Sequence, residues 1–291
     1  MSTIFVILSS KELIIKTNVG DYMKICVIKD ESNNNLEIGY IFYYKSSDVF
    51  IIELSDKIQD LDVPLFFYPF FRRGIYTLNP EWSLRWVRQR IVPSDRQNLG
   101  SILKKNGLKE YNEFKLLMLA DGRCAQDDCA VFPYNKNSLP EWVSERMNNK
   151  LELAVALDDY KLFLVYANQR TCLVDTKALI TKKKELKILL AKPQIFKDAH
   201  LLPGGNGVIW SEGVFLMTEE LRQTGITLPF SKNEFINILK SSILDTSDVC
   251  DELKCSRQYV SKLVQNNELT YLKESGNSRM YYRSDVDKLK Q

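Results

Sequence analysis

The sequence predicts an α+β chain of more than one domain, with small antiparallel sheets and helices, ending in a helix-turn-helix that carries a β-hairpin. Three observations lead there. Short β-branched and aromatic runs, separated by turn-forming residues, fill residues 1 to about 62 and return at 151–175. Stretches with helical apolar spacing lie between and after them. Two short amphipathic stretches followed by two strand-like runs close the chain. At 291 residues the chain has room for two or three domains of roughly 100–200 residues each.

The first expected domain covers residues 1–137. Strands are predicted at 4–8, 23–28, 36–44 and 49–54, with turns at 18–21, 30–35 and 45–48. Ser32-Asn33-Asn34-Asn35 is the expected tip of a hairpin. An apolar aromatic run at 65–71 follows, and then six arginines: Arg72, Arg73, Arg85, Arg88, Arg90 and Arg96. Trp82 and Trp86 stand i, i+4 apart and share a face if 81–90 is helical. This stretch could grip a nucleic-acid backbone, or it could be an ion-paired helical face. Further helices are expected at 99–106, ending at Asn106-Gly107, and at 110–119, ending near Asp121-Gly122.

The second expected domain covers 138–226. It reads as a short helix at 142–147 and three strands at 151–156, 161–166 and 170–175. A mostly helical stretch follows at 176–190, with Lys182, Lys183 and Lys184 inside it. Residues 203–207 form a glycine-rich turn before the apolar Val208-Ile209-Trp210, where Trp210 is expected to pack. Thr218-Glu219-Glu220-Leu221 reads as a capped helix start. Pro229 lies in an expected linker.

The third expected domain covers 230–291. A helix at 231–240 places Phe235, Ile236 and Leu239 on one stripe. Asp245-Thr246-Ser247-Asp248 offers several caps for the next helix, with Val249 and Leu253 buried. It stops near Lys254-Cys255, and Ser256 caps a second helix at 257–265 with Val260, Leu263 and Val264 inward. Two short helices joined by a three- or four-residue turn are the helix-turn-helix pattern. The outer face of the second helix then carries Arg257, Gln258, Tyr259, Ser261 and Lys262, residue types that reach base edges and phosphates. The N–H groups at the Ser256 end would favour a phosphate. Strands at 269–273 and 279–283 form a wing around the turn-rich 274–278, with Lys273 and Arg279 as its candidate phosphate contacts. Ser284 is expected to cap a last helix.

Composition narrows the chemistry. The net charge is +3, so contact with nucleic acid must come from local placement of bases. From Thr246 onward eight basic residues face seven acidic ones, and the second helix carries only basic charge. His200 is the single histidine, which leaves no His-rich metal site or two-His relay and points away from an enzyme. The six cysteines are sparse and read as reduced thiols of a cytoplasmic protein. Cys124 and Cys129 share their spacing with Cys250 and Cys255, a pattern that could hold zinc. The two pairs fall in different domains, so packed thiols and no metal are expected. Asp127-Asp128 has no third carboxylate placed by spacing. No cofactor is expected, and no apolar run approaches the ~18 residues needed to span a bilayer.

Three resemblances add to this reading. The order Leu244, Thr246, Val249, Leu253, Ser256, Val260, then Glu268-Leu269, then Arg279, Tyr281, Arg283-Ser284-Asp285-Val286 resembles the excisionase and MerR-like winged helix-turn-helix domain. That resemblance implies a second helix in the major groove and a wing on the backbone, and transfers those roles to Ser256, Arg257, Gln258, Tyr259, Lys262 and Arg279. Asn267 stands where such domains place glycine, and Glu274 occupies a wing position where a base would strengthen backbone contact. Residues 150–225 resemble a small bacterial α+β domain of unknown function, through Asp159-Tyr160-Lys161-Leu162, Val174-Asp175, Pro193 with Phe196, and 207–210. The N-terminal region resembles the amino-terminal domain of HipA-type kinases through Pro64-Leu65-Phe66 and Gly122-Arg123-Cys124, with no kinase core. The expectation is sequence-specific binding of double-stranded DNA by a transcriptional regulator or antitoxin-like repressor, as a homodimer or with a protein partner. A protein-interaction adaptor is the alternative.

Overall fold

The computed structural model describes the backbone of residues 5–9, 12–16, 22–136, 138–275 and 278–290, and side chains from residue 23 onward except 137, 275–278 and 291. The turn expected at 18–21 and the wing-tip residues Gly276 and Asn277 lie outside the described residues. The chain is α+β and forms two compact units, Met1–Asn168 with Val174–Gly225, and Gln169–Leu173 with Ile226–Gln291. No helix among the described residues is long and apolar enough to cross a membrane.

The first unit is built on an antiparallel sheet of β1 (Phe5–Ser9), β2 (Glu12–Lys16), β3 (Tyr22–Asp30), β4 (Leu36–Tyr44), β5 (Val49–Leu54), β6 (Thr77–Leu78) and β7 (Cys129–Pro133). β3 shares one edge between two partners. Its first residues pair with β2, and Cys26 to Asp30 pair with β7. The strands are apolar on both faces because both faces are covered. Cys26, Ile28, Ile41, Tyr43, Phe50 and Ile52 point into one core, while Met23, Ile25, Val27, Tyr40, Phe42 and Ile51 point into the other. This period-2 division is what pleating imposes.

After the short α1 (Tyr68–Phe71), α2 (Pro80–Arg88) covers the first face. Asn79 caps it by accepting the Trp82 N–H at 2.9 Å, and Pro80 supplies a preset φ at the first position. Its inner face buries Ser83, Trp86 and Val87, each apolar one contributing about 1.5–3 kcal/mol. Ser83 also accepts the Ile52 N–H at 3.0 Å, which pins the helix on the sheet. Beyond α3 (Leu99–Lys105), α4 (Glu113–Leu119) adds Phe114 and Leu117 to the same core. The chain leaves α4 through Gly122 at φ +60°, where a Cβ would sit 2.3 Å from the Val131 side chain.

The second face is covered by residues assigned on sequence grounds to the next domain. Trp142, Val143 and Met147 of α5 (Glu141–Asn148) pack on Tyr40, Tyr134 and their neighbours. Glu53 of β5, 2% exposed, accepts from Thr77 Oγ1 at 2.7 Å, Lys150 Nζ at 2.5 Å and Arg146 Nη1 at 3.4 Å. The segment expected as 138–226 therefore shares a core with the first sheet.

Past α5, β8 (Leu151–Ala156) and β9 (Lys161–Tyr166) form a hairpin and β10 (Thr171–Asp175) follows. The stretch expected as one helix at 176–190 is broken. α6 (Lys177–Lys182) ends at Lys183, which is extended, and α7 (Ile188–Ala191) follows a 3₁₀ turn. Ile180 and Leu186 are both buried. Six positions apart at about 100° each, they would point about 120° apart around a straight helix and so not share one buried stripe. After α8 (Pro193–Lys197) come β11 (His200–Leu201), β12 (Gly207–Ile209), β13 (Phe215–Met217) and α9 (Thr218–Thr224). Thr218 is not the cap of α9. Its hydroxyl donates to Gly205 O, and the preceding Met217 N–H donates to Glu220 at 3.1 Å. Trp210 packs as expected, 2% exposed, its Nε1 donating to Phe196 O at 3.0 Å.

In the second unit the start of β10 pairs with β14 (Ile226–Thr227). α10 (Lys232–Ser242) has Ser231 as cap in a reciprocal box with Glu234. β15 (Ile243–Asp245) leads to α11 (Thr246–Leu253) and α12 (Arg257–Gln265), then β16 (Tyr271–Ser275), β17 (Ser278–Tyr282) and α13 (Arg283–Lys288). The strands form a sheet in the order β15-β17-β16. Leu244, Val249, Val260, Leu263, Leu269, Tyr281 and Val286 make its core. Ser284 does not cap the last helix: β17 runs straight into α13, so Tyr282 takes the cap position and Ser284 lies inside.

Candidate nucleic-acid interface

The helix pair is fixed locally before it packs. Asp245 caps α11 by accepting the Ser247 and Asp248 N–H groups at 2.6 and 2.9 Å, and Asp248 returns a bond from the Asp245 N–H. Lys254 then takes a left-handed conformation at φ 51°, and the Cys255 N–H reaches Cys250 O at 3.0 Å. This is a Schellman turn, and it reverses the chain within three residues. Ser256 opens α12 by accepting the Tyr259 N–H at 3.3 Å. α12 has the bounds expected from sequence, and Asn267 has the positive φ that its place in the turn asks for.

With Val260 and Leu263 buried, the opposite face of α12 turns outward. Ser256, Arg257, Gln258, Tyr259 and Lys262 are exposed, Tyr259 by 51%, and Ser261 is half-buried. Arg257 donates to Ser247 Oγ at 3.1 Å, which links the starts of the two helices. Ser247 and Lys254, both exposed, belong to this edge although sequence reasoning passed over them. The signal was present: Ser247 lies in the first turn of α11, two residues after its cap, and Lys254 occupies the turn itself.

Ion pairing sorts the charges of this unit. Arg279 pairs with Glu274 at 2.7 Å, Arg283 and Lys290 with Glu252 at 2.5 and 2.6 Å, and Lys288 with Asp285 at 2.8 Å. The two cations hold the Glu252 carboxyl below the usual carboxylate range. Lys254, Arg257, Lys262 and Lys273 form no ion pair among the described residues. They lie on the turn, α12 and the first wing strand. From Thr246 onward the weak excess of base over acid is thus concentrated on one set of elements; Lys240 of α10 also forms no ion pair among the described residues.

The wing differs from expectation in one respect. Arg279 is half-buried, engaged with Glu274 and set against the Tyr271 ring at 5.2 Å, while Lys273 is exposed. The outward residues of β16 and β17 include the exposed Leu272, Met280 and Tyr282.

Elsewhere three arginines of the arginine-rich stretch are held by carboxylates, while Arg73 and Arg96 are exposed. Arg72 pairs with Asp60, Arg88 with Glu113, and the buried Arg90 with Asp127, while Arg90 stacks on Trp86 at 3.5 Å. His200 is exposed beside Asp198 at 2.9 Å. Comparison with protein-family models, curated proteins and solved structures finds no match for this chain.

Proposed function

We propose that the C-terminal unit binds double-stranded DNA, with α12 in the major groove and the β16–β17 wing along the backbone. The observation that carries this is the sorting of charge. From α11 onward the bases of the second wing strand and α13 are neutralised internally, and Lys254, Arg257, Lys262 and Lys273 have no carboxylate partner among the described residues. An α-helix such as α12, about 10–12 Å across with its side chains, fits a B-DNA major groove about 12 Å wide. Arg257 and Gln258 have the donors that distinguish guanine and adenine; Lys262, Ser261 and Lys273 suit phosphates. One such unit covers too little DNA for tight specific binding, so the working form is a homodimer or a complex with a second DNA-binding protein. The protein then serves in the cytoplasm as a sequence-specific transcriptional regulator or antitoxin-like repressor.

The test is fluorescence anisotropy on duplexes from around its own gene, over a range of salt. Three phosphate contacts per unit, from Lys254, Lys262 and Lys273, give a log–log salt slope of roughly −2.7. Arg257→Ala combined with Lys262→Ala is expected to flatten that slope by roughly 0.9 per unit, through Lys262, and to erase sequence preference, through Arg257. Equal, salt-insensitive binding by both proteins would refute the reading. A second reading draws on the exposed Leu272, Met280 and Tyr282, which suit a protein partner: the winged unit would then be an adaptor. Absence of DNA binding by the wild type favours it.

A further inference from the structure

Cys250 and Cys255 meet across the turn between α11 and α12. Cys250 lies four residues before the left-handed Lys254, and its carbonyl accepts both the Lys254 and the Cys255 N–H. In this turn the side chains of the two bonded residues commonly touch through apolar groups. Here both are thiols. Both pack against the same core of Leu244, Val249 and Val260, and both are half-buried, so the turn sets the two thiols on one side of the helix pair. Burial and the adjacent Cys250 sulfur push the Cys255 thiol up, as two facing thiols in a partly dry site should. Cys26, Cys129 and Cys172 are buried, and Cys124 faces Asp127 at 3.8 Å.

We propose that Cys250 and Cys255 form a modification site, an intramolecular disulfide that closes the helix-turn-helix turn when the protein meets a small disulfide oxidant such as oxidised glutathione. The thiolate of Cys250 attacks one sulfur of the oxidant, forming a mixed disulfide and releasing one small thiolate. The Cys255 sulfur, having lost its proton to solvent, then attacks the Cys250 sulfur and releases the second. The protein loses two electrons and two protons, and the small disulfide is reduced to two thiols. The bond joins two residues already held by a backbone hydrogen bond, so it needs little backbone movement. Its formation does not depend on the DNA reading. Its consequence does: Ser256, the cap of α12, directly follows Cys255, so the bond fastens the start of that helix to the end of α11.

The experiment oxidises the native full-length chain in glutathione buffers, blocks free thiols by alkylation and maps tryptic peptides by mass spectrometry. Trypsin cuts after Lys240, Lys254 and Arg257, so the bond appears as peptides 241–254 and 255–257 joined together. That product, lighter than the two separate thiols by two hydrogen atoms, is expected ahead of any adduct at Cys26, Cys129 or Cys172. Cys250→Ser is expected to leave Cys255 either free or as a glutathione adduct, with its folded circular dichroism retained. The oxidised wild type should also melt higher than the reduced protein. Stable separate glutathione adducts at both residues, a Cys250 bond to another cysteine, or a lower melting point on oxidation would overturn the proposal. Anisotropy of oxidised against reduced protein on DNA reads the consequence separately.

Discussion

Arg279 shows how one neighbour changes what a cation can do. From its place after the wing tip it is the natural backbone contact, yet Glu274, directly across the hairpin, holds it at 2.7 Å. Both side chains remain partly exposed, so the pair itself contributes little to stability. Its effect is on availability. Glu274→Gln is expected to leave folding unchanged and to free Arg279, steepening the salt dependence of DNA binding by roughly one unit of slope. An unchanged slope would mean that the wing does not lie on the backbone. Lys273, by contrast, is already exposed. Charge counting along the sequence treats the two residues alike, and only the cross-strand register separates them.

At the scale of elements, the helix-turn-helix depends on one strained residue. Lys254 sits at φ 51°, which costs an L-residue with a side chain about 1–2 kcal/mol. Lys254→Gly relieves that strain but gains freedom in the unfolded chain, so a net stabilisation of about 0.5–1 kcal/mol is expected in urea denaturation. The same change removes one of the unpaired bases of the helix-turn-helix and wing, and the DNA salt slope should fall while stability rises. A variant that loses both would show that the lysine side chain supports the turn. The helices around it were legible in the sequence because caps and apolar stripes are local signals: Asp245, Ser256, Val249, Val260 and Leu263 serve as their spacing indicates. The break after Lys182 and the start of α13 were not legible. Each follows from neighbours distant in sequence or from the direction of the preceding strand.

For the whole first unit, Glu53 is the residue that ties segments together. Its carboxylate, buried on β5, receives Thr77 from the next strand, Arg146 from α5 and Lys150 from just beyond it. Glu53→Ala strands two largely buried cations and is expected to cost about 3 kcal/mol, read as a lower denaturation midpoint. A loss well under 1 kcal/mol would mean that water already compensates the network. By itself the sequence determined the α+β class, the strands β3, β4, β5, β8 and β9, the helix α12 and its outward Arg257, Gln258, Tyr259 and Lys262, because pleat and helix periodicity write burial into local order. Only the tertiary structure decided that residues 138 onward complete the core of the first sheet, that the arginines at 72, 88 and 90 are consumed by Asp60, Glu113 and Asp127, and that Arg279 is tied down while Lys273 is exposed. Those outcomes depend on which distant groups meet, and pairing energy between distant residues leaves no periodic trace in the chain.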